Sequence, residues 1–277
     1  MVRALPPRLR YQVAAAGGSV WYAADLGRRR NALVNYAAAL GLPEGDPEVA
    51  RVARHAFENY CRMLVDFLLI GSLDPDEVSG RLTVEGAEHV QQAVDGGRGA
   101  ILALPHMGSW DFAGSLATIL GYRVVAVAET FPGSLNDVVV QTRSVHGLDI
   151  IPLGRSAVRS INQALDRNGL VALLCDLPHG PGVDVNFFGR RAVVPSGPAA
   201  IAQRRDIPLL PTYCRRLDEE RYVVHVDPPI PRTEAEAYTG REGARELMQR
   251  VVERFEVFIR KYPEQWYAFR PILADPT

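Results

Sequence analysis

The stretch GAILALPHMGSWDFAG, residues 99–114, decides the fold class. Ala100 to Leu104 are apolar without a break, and Pro105 closes the run, which reads as a strand covered on both faces. Gly108 permits a tight turn. Ser109 is placed to cap a helix through residues 109–120, with Asp111 in its first turn, where the helix dipole favours a carboxylate. Strand, loop and helix in that order form the repeating unit of a parallel sheet.

Further along the chain the unit recurs. RVVAVAE (123–129) precedes a helix around 134–146, LDIIPL (148–153) one around 156–167, and GLVALLCD (169–176) a Gly/Pro loop. VDVNFF (183–188), IPLLPTYC (207–214) and RYVVHVDPPI (221–230) complete the strands, with Phe187 and Phe188 expected in the core. A last helix spans roughly 241–261, with Leu247, Val251, Phe255, Phe258 and Ile259 inward. The expectation is an α/β fold with a mostly parallel central sheet flanked by helices.

Before residue 80 the pattern is helical. Asp46 as N-cap, Pro47 at the first helical position and Glu48 in the first turn start one clear helix. Val49, Val52, Ala53, Ala56, Phe57, Tyr60, Leu64 and Phe67 form its apolar stripe, and His55 lies beside it. Residues 1–80 are therefore read as an N-terminal helical, membrane-associating region and 81–277 as the α/β body, packed together as one unit.

The chain has 277 residues, 47% hydrophobic and 23% charged, with a formal net charge of −1. That balance suits a globular protein and argues against nucleic acid as a partner. Charge is uneven, however: Arg3, Arg8, Arg10, Arg28, Arg29 and Arg30 face only Asp25 in the first thirty residues. With Leu5, Leu9, Tyr11, Val13, Val20, Trp21 and Tyr22 among them, this end reads either as an anionic-membrane contact or as a solvated basic face. The apolar stretch at 11–24 is below the roughly 20 residues that span a bilayer. Cys61, Cys175 and Cys214 are widely spaced and suggest neither a disulfide framework nor zinc, which fits a reducing setting.

In open α/β sheets, ligands bind outside the carboxyl ends of the strands. His106, Glu129 and Asp176 follow three such ends, and Arg143 precedes a fourth strand. An imidazole oriented by a carboxylate is a general base held in one tautomer, and Asp111, five residues on, can reach back to it. The helix start offers backbone N–H groups to an oxyanion or phosphate. Ser109 lacks a nucleophile elbow and reads as a cap. Asp176 and His179 have no third ligand beside them, so no metal is expected. His179 reads as a loop residue near the site mouth, and His89, His146 and His225 as surface or structural. Arg190 and Arg191 read either as contacts to a phosphate or as a solvated turn.

ALPHMGSWDFAG resembles the H-x4-D/E block of the glycerolipid acyltransferase superfamily, in particular the branch of the lipid A lauroyl/myristoyl acyltransferases. Within it the wording is closest to the phosphatidylinositol mannoside acyltransferases. VVAVAET, QTRSVHGLDIIPL, the FFG…PSGPA…LLPT run and YPEQWYAFRP follow in the same order, so the resemblance covers roughly residues 10–272. It implies transfer of a fatty acyl group from acyl-CoA or acyl carrier protein to a hydroxyl of a glycolipid or phospholipid, at the cytoplasmic face of the membrane, with no cofactor. It implies His106 as base, Asp111 as its partner, and Asp176 as a second acid. At Asp176 the relatives' segment is slightly longer. Glu129 and Arg143 would line the head-group pocket, with Ser109 and Arg190 also on the substrate side. A hydrolase using the same pair and a non-catalytic lipid-binding homologue are the rival readings.

Overall fold

The run that opens the site motif lies in the middle of the sheet in a computed structural model, which describes residues 5–154, 156–231 and 240–273. Arg3 lies outside the described residues. The strands are β1 (Leu82–Glu85), β2 (Ala100–Leu104), β3 (Val124–Ala128), β4 (Asp149–Pro152), β5 (Leu170–Leu174), β6 (Gly182–Phe187), β7 (Arg190–Pro195), β8 (Leu209–Arg216) and β9 (Tyr222–Val226). Seven of them form the central sheet in the order β1–β9–β8–β2–β5–β3–β4, and β6 and β7 form a separate pair. Neighbours in the central sheet run parallel except β8 and β9.

All five residues of β2 are buried. Ile101 and Ala103 enter one apolar cluster, and Ala100, Leu102 and Leu104 enter another on the opposite face. Helices cover both faces, as the continuous apolar run requires.

Two strands escape the sequence reading. β1 is a four-residue edge strand with only Leu82 buried, so it carries almost no apolar signal. β7 follows β6 after a two-residue turn in which Phe188 (φ 53°) and Gly189 (φ 76°) are both left-handed. That is the geometry of a tight hairpin, placed here on an FG pair rather than the usual NG or DG.

The helices are α1 (Pro7–Ala24), α2 (Leu26–Leu40), α3 (Pro47–Ile70), α4 (Pro75–Ser79), α5 (Ala87–Asp95), α6 (Trp110–Ile119), α7 (Ser134–Ser144), α8 (Ala157–Asp166), α9 (Gly197–Arg205) and α10 (Gly240–Lys261). Asp46 caps α3 by accepting the Glu48 N–H, and Pro47 takes the first helical position. Val49, Val52, Ala53, Ala56 and Phe57 are buried as expected. Leu64 is not: Met63 takes the inward position, and about 100° of helix rotation turns Leu64 outward to 42% exposure.

Helix α1 packs along α3 at Gly18, where any Cβ would lie 2.5 Å from the Phe57 carbonyl oxygen. Arg10, Tyr11 and Tyr22 lead inward and several apolar residues outward. Arg10 is buried and donates to Glu220 (2.8 Å), and Tyr11 donates to Asp66 (2.9 Å). Arg10 is thus not part of a solvated basic face, and Tyr11 and Tyr22 are core residues. Leu5, Leu9, Val13 and Val20 are exposed. Tyr36 and Phe57 from the N-terminal helices share one apolar cluster with Ile101, Val171 and Phe255.

Candidate active site

β2 and β5 are adjacent parallel strands, paired from Ala100–Leu170 to Leu104–Leu174. The ladder runs one step further, with the Cys175 N–H donating to the Leu104 carbonyl (2.9 Å). His106 and Asp176 each stand two residues past the last pair, so the register itself brings them face to face. His106 Nδ1 lies 2.6 Å from Asp176 Oδ1. Asp176 is fully buried, whereas the His106 side chain keeps 26% of its exposure.

An anionic carboxylate only accepts hydrogen bonds, so Nδ1 carries the proton and Nε2 is left with its lone pair. Burial by itself pushes the Asp176 carboxyl up. The facing His106 and the Trp266 indole N–H outweigh that, and the group ends below its usual range. Asp176 is thus a fixed anion at neutral pH.

Asp111 does not face the imidazole. Its Oδ1 accepts from Arg143 Nε on α7 at 2.7 Å. Helix geometry explains the departure from expectation. α6 begins at Trp110, and it is the Trp110 ring that stands edge-on to His106, with centroids 5.7 Å apart. The next residue is rotated by about 100° and turns toward α7. Arg143 also lies over the Phe67 ring, 5.6 Å from its centroid.

Ser109 occupies the N-cap position and is buried, but its hydroxyl caps nothing. Ser109 Oγ, Trp110 Nε1 and Asp111 Oδ2 are buried without a protein partner. All three belong to the start of α6.

Glu129 follows β3 as expected and is half exposed. It pairs with His179 at 3.3 Å and lies 3.6 Å from Arg270. Glu129 and His179 therefore meet beyond the ends of β3 and β5, both half exposed. Arg190 begins β7 opposite Phe187, and its Nη1 is buried without a partner. Among the described residues nothing ties it to His106 or Asp176. Arg191 pairs with Asp184 at 2.6 Å. No group of three His, Cys, Asp or Glu side chains able to hold a metal occurs among the described residues.

The loop bearing His106 is gripped from behind. Gly108 has φ 61°, and a Cβ there would sit 1.6 Å from the Cys214 carbonyl oxygen, so only glycine fits. Gly108 N–H donates to Gln265 O (2.9 Å), and Tyr267 N–H donates to His106 O (2.8 Å). The side chain of Trp266, between them, reaches Asp176. No sequence spacing signals this, because the segment lies ninety residues from Asp176. The usable signal is weaker: a tryptophan in an apolar segment needs an acceptor for its N–H.

A row of rings leads away from the imidazole. Trp110 meets Tyr267 at 5.9 Å, and Tyr267 meets Tyr60 at 5.3 Å. A separate cavity of about 410 Å³, lined by Gly97, Arg98, Leu165, Asp166, Arg204 and Arg205, lies at the opposite, amino end of β2. Arg98 and Arg205 are paired there with Asp206 and Asp166.

Residues 1–273 match the family described as bacterial lipid A biosynthesis acyltransferase. The chain is 30% identical to a phosphatidylinositol mannoside acyltransferase of Mycolicibacterium smegmatis, over 98% of this chain and 87% of that protein. It is 29% identical to a protein of the same name from Mycobacterium tuberculosis, over 87% of this chain and 76% of the relative.

Proposed function

The chain belongs to the bacterial lipid A biosynthesis acyltransferase family, and from that premise we propose that it transfers a fatty acyl group from a thioester donor to a hydroxyl of a mannosylated phosphoinositide-type glycolipid. The observation that carries the mechanism is the 2.6 Å pairing of His106 Nδ1 with the buried Asp176. His106 Nε2 takes the proton of the acceptor hydroxyl as its oxygen attacks the thioester carbonyl. The tetrahedral intermediate collapses with cleavage of the C–S bond, and the imidazolium returns the proton to the departing thiolate. Asp176 holds the ring and stabilises its charged form. A thioester is already activated, so the reaction needs no covalent enzyme intermediate and no cofactor.

The acceptor's sugar and phosphate are read by Glu129 and by the Arg143 guanidinium beside Asp111. The acyl chain lies against the Trp110, Tyr267 and Tyr60 rings. The donor is acyl-CoA or acyl carrier protein.

We place the protein at the membrane surface, on the cytoplasmic side. Among the described residues no helix is long and apolar enough to cross a membrane. Leu9, Val13 and Val20 on α1, Leu64 and Leu68 on α3, and Leu135 and Val138 on α7 are exposed. Exposed apolar side chains on three helices suit an interfacial enzyme.

The test is incubation with labelled acyl-CoA or acyl carrier protein and vesicles with or without a phosphatidylinositol mannoside. Acceptor-dependent acylated glycolipid, identified by mass spectrometry, supports the reading. Release of free fatty acid at the same rate without acceptor would make the protein a hydrolase.

A further inference from the structure

Both oxygens of Asp176 are engaged. Oδ1 faces His106, and Oδ2 accepts the indole N–H of Trp266 at 2.8 Å. Asp176 and Trp266 are each fully buried. A carboxylate removed from water needs donors on both oxygens, and Trp266 supplies the one that His106 does not. With Oδ2 held, the carboxylate plane cannot swing, and Oδ1 stays aimed at Nδ1.

Trp266 is itself held from several sides. Its backbone bridges Met107 within the His loop. The Tyr36 hydroxyl on α2 donates to its carbonyl. The rings of Tyr36, Phe187 and Phe188 lie 5.8, 5.8 and 5.6 Å from its own. Asn35 extends the brace by donating to the carbonyls of Ala268 and Arg270, both at 2.9 Å. One short segment therefore grips the base through its backbone and the acid through its side chain.

We propose that Trp266 is a positioning residue of the acyl transfer: its indole N–H fixes the Asp176 carboxylate so that His106 keeps its proton on Nδ1 and presents Nε2 to the acceptor. The inference rests on the reading of His106 as the base. A tryptophan that only fills the core would act through its shape; the proposed role depends on one N–H group.

The experiment removes that group and keeps the shape. Benzothienylalanine is placed at position 266, where a sulfur replaces the N–H; Trp266→Phe serves as the second variant and fluorotryptophan, which keeps the N–H, as the rescue. kcat is expected to fall about 10- to 100-fold, the size of one hydrogen bond to a charged group, with KM for donor and acceptor unchanged. The acid limb of the kcat profile is expected to move to higher pH, because a carboxylate with one donor fewer takes a proton more readily. Fluorotryptophan is expected to restore both. In the NMR spectrum the His106 Nδ1 proton is expected to exchange faster in the benzothienyl protein, a readout independent of turnover.

Wild-type kcat, pH profile and proton exchange in the benzothienyl protein, alongside an inactive His106→Ala, would overturn the role of Trp266 alone. Activity retained in His106→Ala would instead overturn the base reading and this inference with it.

Discussion

His106 and Asp176 stand at equivalent places, each two residues beyond Leu104 and Leu174, the last paired residues of two neighbouring parallel strands, with Nδ1 and Oδ1 2.6 Å apart. Asp111, the acid of the same motif, faces Arg143 instead. The two carboxylates therefore have different work.

Asp176→Asn is expected to lower kcat by roughly 10²- to 10⁴-fold, because an amide can donate to Nδ1 and favour the wrong tautomer. Its fold should survive, since the amide fills the same space. Steady-state kinetics on purified protein with matched melting curves checks this. A loss confined to KM would contradict it.

Asp111 and Arg143 form a mostly buried pair, with side chains 6% and 16% exposed. Removing either partner strands the other charge, so Asp111→Asn and Arg143→Gln should each cost about 3 kcal/mol of stability. The double variant should cost much less than the sum. Urea unfolding of the four proteins measures the coupling. Additive losses would mean that the two groups act independently.

The fold class and the strand ends were legible in the sequence; the pairing of the acid was not legible in spacing, and Asp176 entered only as the second acid that the family resemblance implies. Apolar runs with helices between them reveal β2, β3 and β5, and each delivers a polar residue at its carboxyl end. Spacing along the chain favours Asp111 as the partner of His106, because five residues look close. What decides the matter is strand order, which puts β5 and not β3 beside β2, and periodicity within one strand carries no information on its neighbour. Helix rotation after Trp110 is a second local fact that composition hides. Trp266 is further still from any pattern, since its contact with Asp176 spans ninety residues of chain. Helix α1 hides a further point: Arg10 and Tyr11 look like surface residues until Glu220 and Asp66 meet them.

Gly108→Ala is expected to abolish transfer. The added methyl would collide with the Cys214 carbonyl, and alanine disfavours φ 61°. Strain of about 1–3 kcal/mol, plus the displacement of β8 or the loop, should unseat His106. Activity within a factor of a few of wild type would show that the loop tolerates another path.

Asp66 is fully buried and accepts from Tyr11 (2.9 Å) on α1, from Tyr222 (2.7 Å) on β9, and from Arg216 at the end of β8. Asp66→Ala leaves the mostly buried Arg216 guanidinium without its carboxylate, at a cost of about 3–5 kcal/mol. Because Tyr11 loses its anchor too, α1 should become the first segment cut in limited proteolysis. Unchanged denaturant midpoint and cleavage pattern would contradict this.

The account turns on His106 as the base, and the most direct test is the single-turnover rate of acyl transfer to a glycolipid acceptor by His106→Ala and wild type under saturating donor. The account predicts a loss of roughly 10²- to 10⁴-fold in the variant, the usual worth of general-base assistance. A variant that transfers acyl groups within a few-fold of the wild-type rate would contradict it.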